Sequence, residues 1–240
     1  MRILSSEHQH GDTICRVDFP SEHEALTHAL SLLEAPLYEF DAFTTTGRPL
    51  KPKRHVRDIG GVTLPALLPV DQRAMNATLK RTLESDDWTS EPVAAGPMAG
   101  PDTPLNLRGD FVRNRVFVEV EFGNVASMHR DFFKFQIANR SGAGDVGVLV
   151  VATQRFAQFF DTNVATYETA LRNRPYLAIG VQMPIWIVGI EPEDFVRGVG
   201  ARYAEMFELC KKNAVECHSF DAVLASHGEG IRSAEIEPDN

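Results

Sequence analysis

Cysteine is scarce: three residues in 240, Cys15, Cys210 and Cys217. An odd number without CxxC spacing excludes a disulfide scaffold and fits reduced thiols in a cytoplasmic protein. No apolar run approaches the roughly 18 to 20 residues that a bilayer crossing needs, so no membrane partner is expected. The start, Met1-Arg2-Ile3-Leu4-Ser5-Ser6-Glu7-His8, turns polar and acidic at once and lacks the apolar stretch of a secretory signal. Basic residues are in the minority, 24 Lys+Arg against 33 Asp+Glu, for a net charge of −9. A protein that coats nucleic acid nonspecifically would carry a broad basic surface, and that class is excluded; an enzyme that holds DNA in one cleft is not. What is present is an ordinary globular composition, 43% hydrophobic and 24% charged, enough for one sizeable core.

Charge is uneven along the chain. Arg48, Lys51, Lys53, Arg54 and Arg57 lie together without an intervening acid, whereas the stretch from Asp221 to Asn240 is acidic. A solvated loop and a frayed terminus account for both. Ser21 followed by Glu22-His23-Glu24, with Leu26, Leu30 and Leu33 at helical spacing, predicts a helix over 21–34, closed by Pro36. Residues 36–69 read as irregular with short strands at most, and a second helix is expected over 71–85, just before Trp88. Pro92, Pro97, Pro101 and Pro104 mark a loop. The composition then changes. Residues 111–122 are strand material by their Val and Phe content, 125–139 an aromatic-rich helix, and 145–151 a buried strand. A helix over 162–172, a buried strand over 185–190 and a last helix over 195–212 follow. Strands alternating with helices predict an α/β fold with a central mixed β-sheet flanked by helices. One domain is expected: an N-terminal helical and irregular region 1–108, a core 109–192, a C-terminal helix within 193–225 and a tail 226–240.

The chemistry concentrates in the core. Asp110 stands at the start of the strand segment, and Glu119-Val120-Glu121 follow near its end. Alternation along a strand puts Glu119 and Glu121 on one face and turns Val120 to the other. Two carboxylates among Val116, Phe117, Val118 and Phe122 are costly to bury without a cation or a partner. Spacing alone leaves two readings open, the polar face of an edge strand or a site for a hard divalent ion such as Mg²⁺.

The stretch Gly109-Asp110-Phe111-Val112-Arg113-Asn114-Arg115-Val116-Phe117-Val118-Glu119-Val120-Glu121-Phe122-Gly123-Asn124 closely resembles the metal-binding segment of the BglII/BstYI branch of type II restriction endonucleases. That branch lies within the PD-(D/E)XK nuclease group, whose signature is an acid, a gap, then acid-x-lysine. The likeness continues, more loosely, at Met1-Arg2-Ile3, Trp88, Asp145-Val146-Gly147-Val148, Tyr167-Glu168 and Ile187-Val188-Gly189-Ile190. The resemblance implies that Asp110, Glu119 and the backbone carbonyl of Val120 hold the metal. The position of the usual lysine is Glu121, where this branch tends to have glutamine; a glutamate there is similar to the BamHI arrangement. It adds negative charge and serves either as base toward the attacking water or as a ligand to a second ion. Glu91, three residues after Trp88, falls where the branch places a further active-site polar residue, and a plain loop acid is the competing reading. The resemblance also implies Mg²⁺ as cofactor, with Mn²⁺ substituting and one or two ions per site. It implies double-stranded DNA as partner, a two-fold homodimer, 5′-phosphate ends with a 5′ overhang, and a palindromic GATC-like target.

The remaining candidates divide between roles. Phe132, Phe133 and Phe135 form either core or the dimer interface. Asn124, Thr162 and Asn163 are either base readers or turn residues. Arg113, Arg115, Lys134 and Arg140 are candidate phosphate contacts or solvated surface. His8 and His10 lack further ligands at metal spacing and read as a solvated pair. Gly142-Ala143-Gly144 is no phosphate loop, because no Gly-Lys-Ser/Thr follows. Besides the nuclease, two other functions fit such a chain: a catalytically dead DNA-binding module and a nonspecific nuclease of the same wider fold.

Overall fold

A computed structural model describes residues 1–35, the strand backbones 53–59 and 62–66, and residues 70, 72–94, 107–157, 160 and 163–193. The expected C-terminal helix, the tail and Thr162 lie outside these residues. The described elements are β1 (Arg2–His8), α1 (Gly11–Asp18), α2 (Pro20–Leu32), β2 (Lys53–Ile59), β3 (Val62–Ala66), α3 (Gln72–Glu84) and β4 (Thr89–Ser90), followed by β5 (Phe111–Arg113), β6 (Val116–Glu121), α4 (Val125–Arg140), β7 (Val146–Ala152), α5 (Gln154–Ala157), α6 (Tyr167–Gly180) and β8 (Ile185–Glu191).

Six strands form one mixed sheet in the order β1-β8-β7-β6-β5-β4. β6, β7 and β8 run parallel, with β1 antiparallel at one edge and β5 and β4 antiparallel at the other. Every residue of β7, Val-Gly-Val-Leu-Val-Val-Ala, and of β8 is buried. Continuous apolar runs of this kind suit central parallel strands covered on both faces. One face carries Val116, Val118, Val146, Val148, Val150, Trp186, Val188 and Ile190 and packs with Leu26 and Leu30 of α2 and Met75, Leu79 and Leu83 of α3. The other carries Phe117, Leu149, Val151, Ile185 and Ile187 and packs with Met128, Phe132 and Phe135 of α4 and Leu177 of α6. The expected mixed sheet flanked by helices is therefore present.

Several boundaries differ from the sequence expectation, each for a local reason. The strand material expected over 111–122 divides into a hairpin: Asn114 (φ 44°) and Arg115 (φ 69°) form a two-residue turn between β5 and β6. Consecutive left-handed residues match the twist of paired strands, and Asn favours that conformation. The helix expected over 162–172 begins instead at Tyr167. Thr166 caps it, its hydroxyl accepting the Thr169 N–H at 3.1 Å, and the helix carries Pro175 inside it. The first 18 residues contribute an edge strand and a helix that composition did not reveal, and the 36–69 stretch contains the β2–β3 hairpin. Gly11 is required where α1 crosses β8, since a Cβ there would sit 2.1 Å from the Ile185 backbone.

Candidate active site

The β5–β6 hairpin brings the sequence-distant acids together. Asp110 precedes β5, its N–H donating to the Val118 carbonyl at 3.2 Å, and its Oδ2 accepts the Val120 N–H at 2.6 Å. In an extended strand a residue's N–H and C=O project to the same side, so the Val120 carbonyl also lies toward Asp110. Glu119 and Glu121 share the face of β6 that meets α4, while Val120 packs on the opposite core, as alternation requires.

Glu119 is 1% exposed. Its Oε2 accepts from Lys134 Nζ at 2.7 Å, and its Oε1 has no hydrogen-bond partner. That orphaned oxygen faces Gly109, where an added Cβ would stand 3.1 Å from it. Lys134 Nζ lies 2.9 Å from Asp131 Oδ1 as well. The Glu121 carboxyl is hydrogen-bonded to Asp131, and its Oε1 accepts the Gly123 N–H at 2.6 Å. Two carboxyls, Glu119 and Asp131, thus hold one ammonium, with Asp110 and Glu121 coupled to the same cluster. Burial, followed by the charges of Asp131 and Asp110, pushes Glu119 up to about 9. Burial and then Asp131 push Glu121 up to about 7. Burial raises Asp110 and Asp131 too. Burial works against the Lys134 ammonium, but the Glu119 and Asp131 carboxylates outweigh it and raise its pKa. Protons are retained where negative charge would otherwise be stranded.

Among the described residues no three acidic, histidine or cysteine side chains converge at metal-ligand spacing. The chemistry of the donor set nevertheless suits a hard divalent ion: Asp110, hydrogen-bonded to Val120, the Val120 carbonyl, and the unpartnered Oε1 of Glu119, which lies against Gly109, are all oxygen donors. A cation there would complete the hydrogen-bonding deficit of a nearly inaccessible carboxylate.

Asp110 and Val120 also line an open cavity of about 130 Å³ with Glu91, Asn76, Lys80 and Ser90. Glu91 is held beside Asp110 by its N–H, which donates to the Asp110 carbonyl at 2.9 Å. Its φ is 52°, and its side chain is solvent-facing, 3.6 Å from Lys80 Nζ.

The other sequence candidates fall elsewhere. Lys134, considered as surface or as a phosphate contact, is buried within the acid cluster. Arg113 is engaged by Glu22 and the Asp86 carbonyl, and Arg115 by Asp145 and the Gly142 carbonyl. Arg140 is exposed at the end of α4. Asn124 caps α4, accepting the Ala126 N–H at 2.8 Å, and also accepts from Asn163 Nδ2 at 3.2 Å, so these two sit together just past β6. Phe132 and Phe135 are core, while Phe133 is 55% exposed. Asp131 escaped sequence reasoning altogether. Its signal was a charged residue inside the apolar stripe Met128, Phe132 and Phe135.

A mixed sheet with a carboxylate hairpin toward one edge and a helix laid over it is the core of a restriction endonuclease. The family profile described as "Restriction endonuclease BglII/BglIII" matches residues 5–190, and this chain belongs to that family. The crystal structure of restriction endonuclease BglII complexed with a DNA 16-mer superposes with a TM-score of 0.55 at 19% identity, covering 81% of this chain and 78% of that one. Free BglII gives 0.47 at 18% identity over 80% and 81%. The type II restriction enzyme BamHI of Bacillus amyloliquefaciens is 24% identical over 96 residues, 38% of this chain and 44% of that enzyme. The chain therefore aligns with less than half the length of this relative. No helix among the described residues is long and apolar enough to cross a membrane.

Proposed function

We propose that this chain is a type II restriction enzyme, a cytoplasmic homodimer that cuts double-stranded DNA at a palindromic, GATC-like site and leaves 5′-phosphates, with Mg²⁺ as cofactor. One observation carries the reading: a carboxylate buried to 1% exposure whose unpartnered oxygen lies against Gly109, the residue before Asp110. Such an arrangement is unfavourable for packing alone and favourable once a divalent ion is supplied. Asp110, Glu119 and the Val120 carbonyl would hold the ion, with Mn²⁺ able to replace Mg²⁺. When bound, it supplies charge neutralisation at the phosphoryl oxygens and a lowered pKa for water.

The chain's own residues do the rest. Lys134, itself held by Asp131, fixes the Glu119 carboxylate from the α4 side. Glu121, with its pKa near neutrality, takes a proton from the attacking water. Glu91 flanks the cavity through which the scissile phosphate would reach Asp110. Arg140 is available for backbone phosphates and the Asn124–Asn163 pair for base edges, with Thr162 next to it in sequence. Arg113 and Arg115, tied to acids, contribute only if DNA displaces those partners.

Incubation of phage DNA with the protein and Mg²⁺ tests the reading. Discrete fragments with ligatable 5′-phosphate ends are expected. A smear would instead identify a nonspecific nuclease, and intact DNA retarded in a gel a binding module that has lost catalysis.

A further inference from the structure

The acid-x-lysine signature places an ammonium two residues after the second metal acid, and in this chain that strand position is Glu121. A lysine nevertheless reaches the same carboxylate from the opposite side. Lys134, on α4, is 6% exposed, with Nζ 2.7 Å from Glu119 Oε2 and 2.9 Å from Asp131 Oδ1. The two oxygens of Glu119 are thereby divided. Oε2 belongs to the ammonium, and Oε1 faces Gly109 on the Asp110 side without a partner.

We propose that Lys134 is a built-in cation filling the space between Glu119 and Asp131, so that the site accepts a single divalent ion, on the Asp110 side of Glu119. The inference rests on the metal-dependent reading above and goes beyond it by fixing the ion count and naming the residue that fixes it. Four carboxylates in one cluster carry enough negative charge for two divalent ions. A second ion shared by Glu119, Glu121 and Asp131 would have to enter where Nζ stands, and the ammonium both fills that space and repels it. Lys134 does not swing out readily, because leaving would strand two nearly inaccessible carboxylates. It is a positioning residue: it touches Glu119 and Asp131, and it acts on the reaction through them.

The test is a Mn²⁺ titration of the full chain, with free ion counted by electron paramagnetic resonance and each variant first shown to unfold cooperatively. Wild type is expected to bind one ion per chain and Lys134→Gln two. Lys134→Arg should return the count to one, a rescue that a purely structural role would not produce. If Lys134→Gln does not fold, the double variant Lys134→Gln with Glu121→Lys decides, since it restores the cluster's charge from the strand: one ion supports the inference, and any other count overturns it. One ion in both wild type and Lys134→Gln, or two in wild type, overturns the inference and leaves the nuclease reading standing. No binding by wild type overturns both.

Discussion

Replacing Glu119 by glutamine should stabilise the cation-free protein at alkaline pH, although the change removes one arm of a buried ion pair. The carboxyl's pKa rises from an ordinary 4.5 to about 9 on folding. A group whose folded pKa is raised binds protons more tightly when folded, so stability is fullest below pH 4.5 and is lost as pH climbs toward 9. Each pH unit in that window is worth about 1.4 kcal/mol. Relaxation around a charged buried group reduces the sum to on the order of 3 kcal/mol. Glutamine resembles the protonated acid at every pH and escapes the loss. Urea unfolding followed by circular dichroism, in chelator at pH 5, 7 and 9, reads the difference between variant and wild type. The two should coincide at pH 5, and the variant should lead by about 2–4 kcal/mol at pH 9. Adding Ca²⁺ at pH 9 should stabilise wild type and leave the variant unchanged. A variant that tracks wild type at all three pH values, or falls below it at pH 9, refutes the reasoning.

Asp110→Asn should retain the fold by circular dichroism and lose DNA cleavage, since its Oδ atom can still accept the Val120 N–H while the charge toward the cation is gone. Cleavage by wild type should rise with pH through the region near 7, where Glu121 gives up its proton, and Glu121→Gln should fall on the order of 100-fold with that rise abolished, as initial rates across a pH series would show. Gly147→Ala should cost about 1–3 kcal/mol in chemical unfolding, because a Cβ there would approach the Phe135 ring at 2.9 Å. Combining it with Phe135→Leu should recover part of that loss if the clash is the cause.

Central strands and the amphipathic helices α2 and α3 were legible because period and composition agreed. Val146–Ala152 and Ile185–Glu191 are apolar throughout, and burial on both faces leaves no alternation to misread. The acidic strand was legible from Glu119-Val120-Glu121, whose alternation puts both acids on one face and Val120 on the other. What hid the β5–β6 turn was its chemistry: Asn114-Arg115 has no glycine, and the Val and Phe on either side blend into one run. β1 was hidden because Ser5, Ser6 and Glu7 suit a half-exposed edge whose pairing partner is remote in sequence. Asp131 and Lys134 were obscured by the aromatics around them. Side chains that meet only after a helix is laid on a strand leave a trace in sequence solely as charge in an apolar stripe.

The edge strand β1 pairs Arg2 with Glu191 and His8 with Ile185, almost the full described length of the chain apart. Every acid of the site lies between those two partners. As the chain leaves the ribosome, β1 emerges before β8 and stays unpaired until β8 has followed. The β5–β6 hairpin and α4, being local, can form much earlier. The carboxylate cluster would then exist before the sheet that braces it is closed, and the closing step is the docking of β1 onto a strand made roughly 180 residues later.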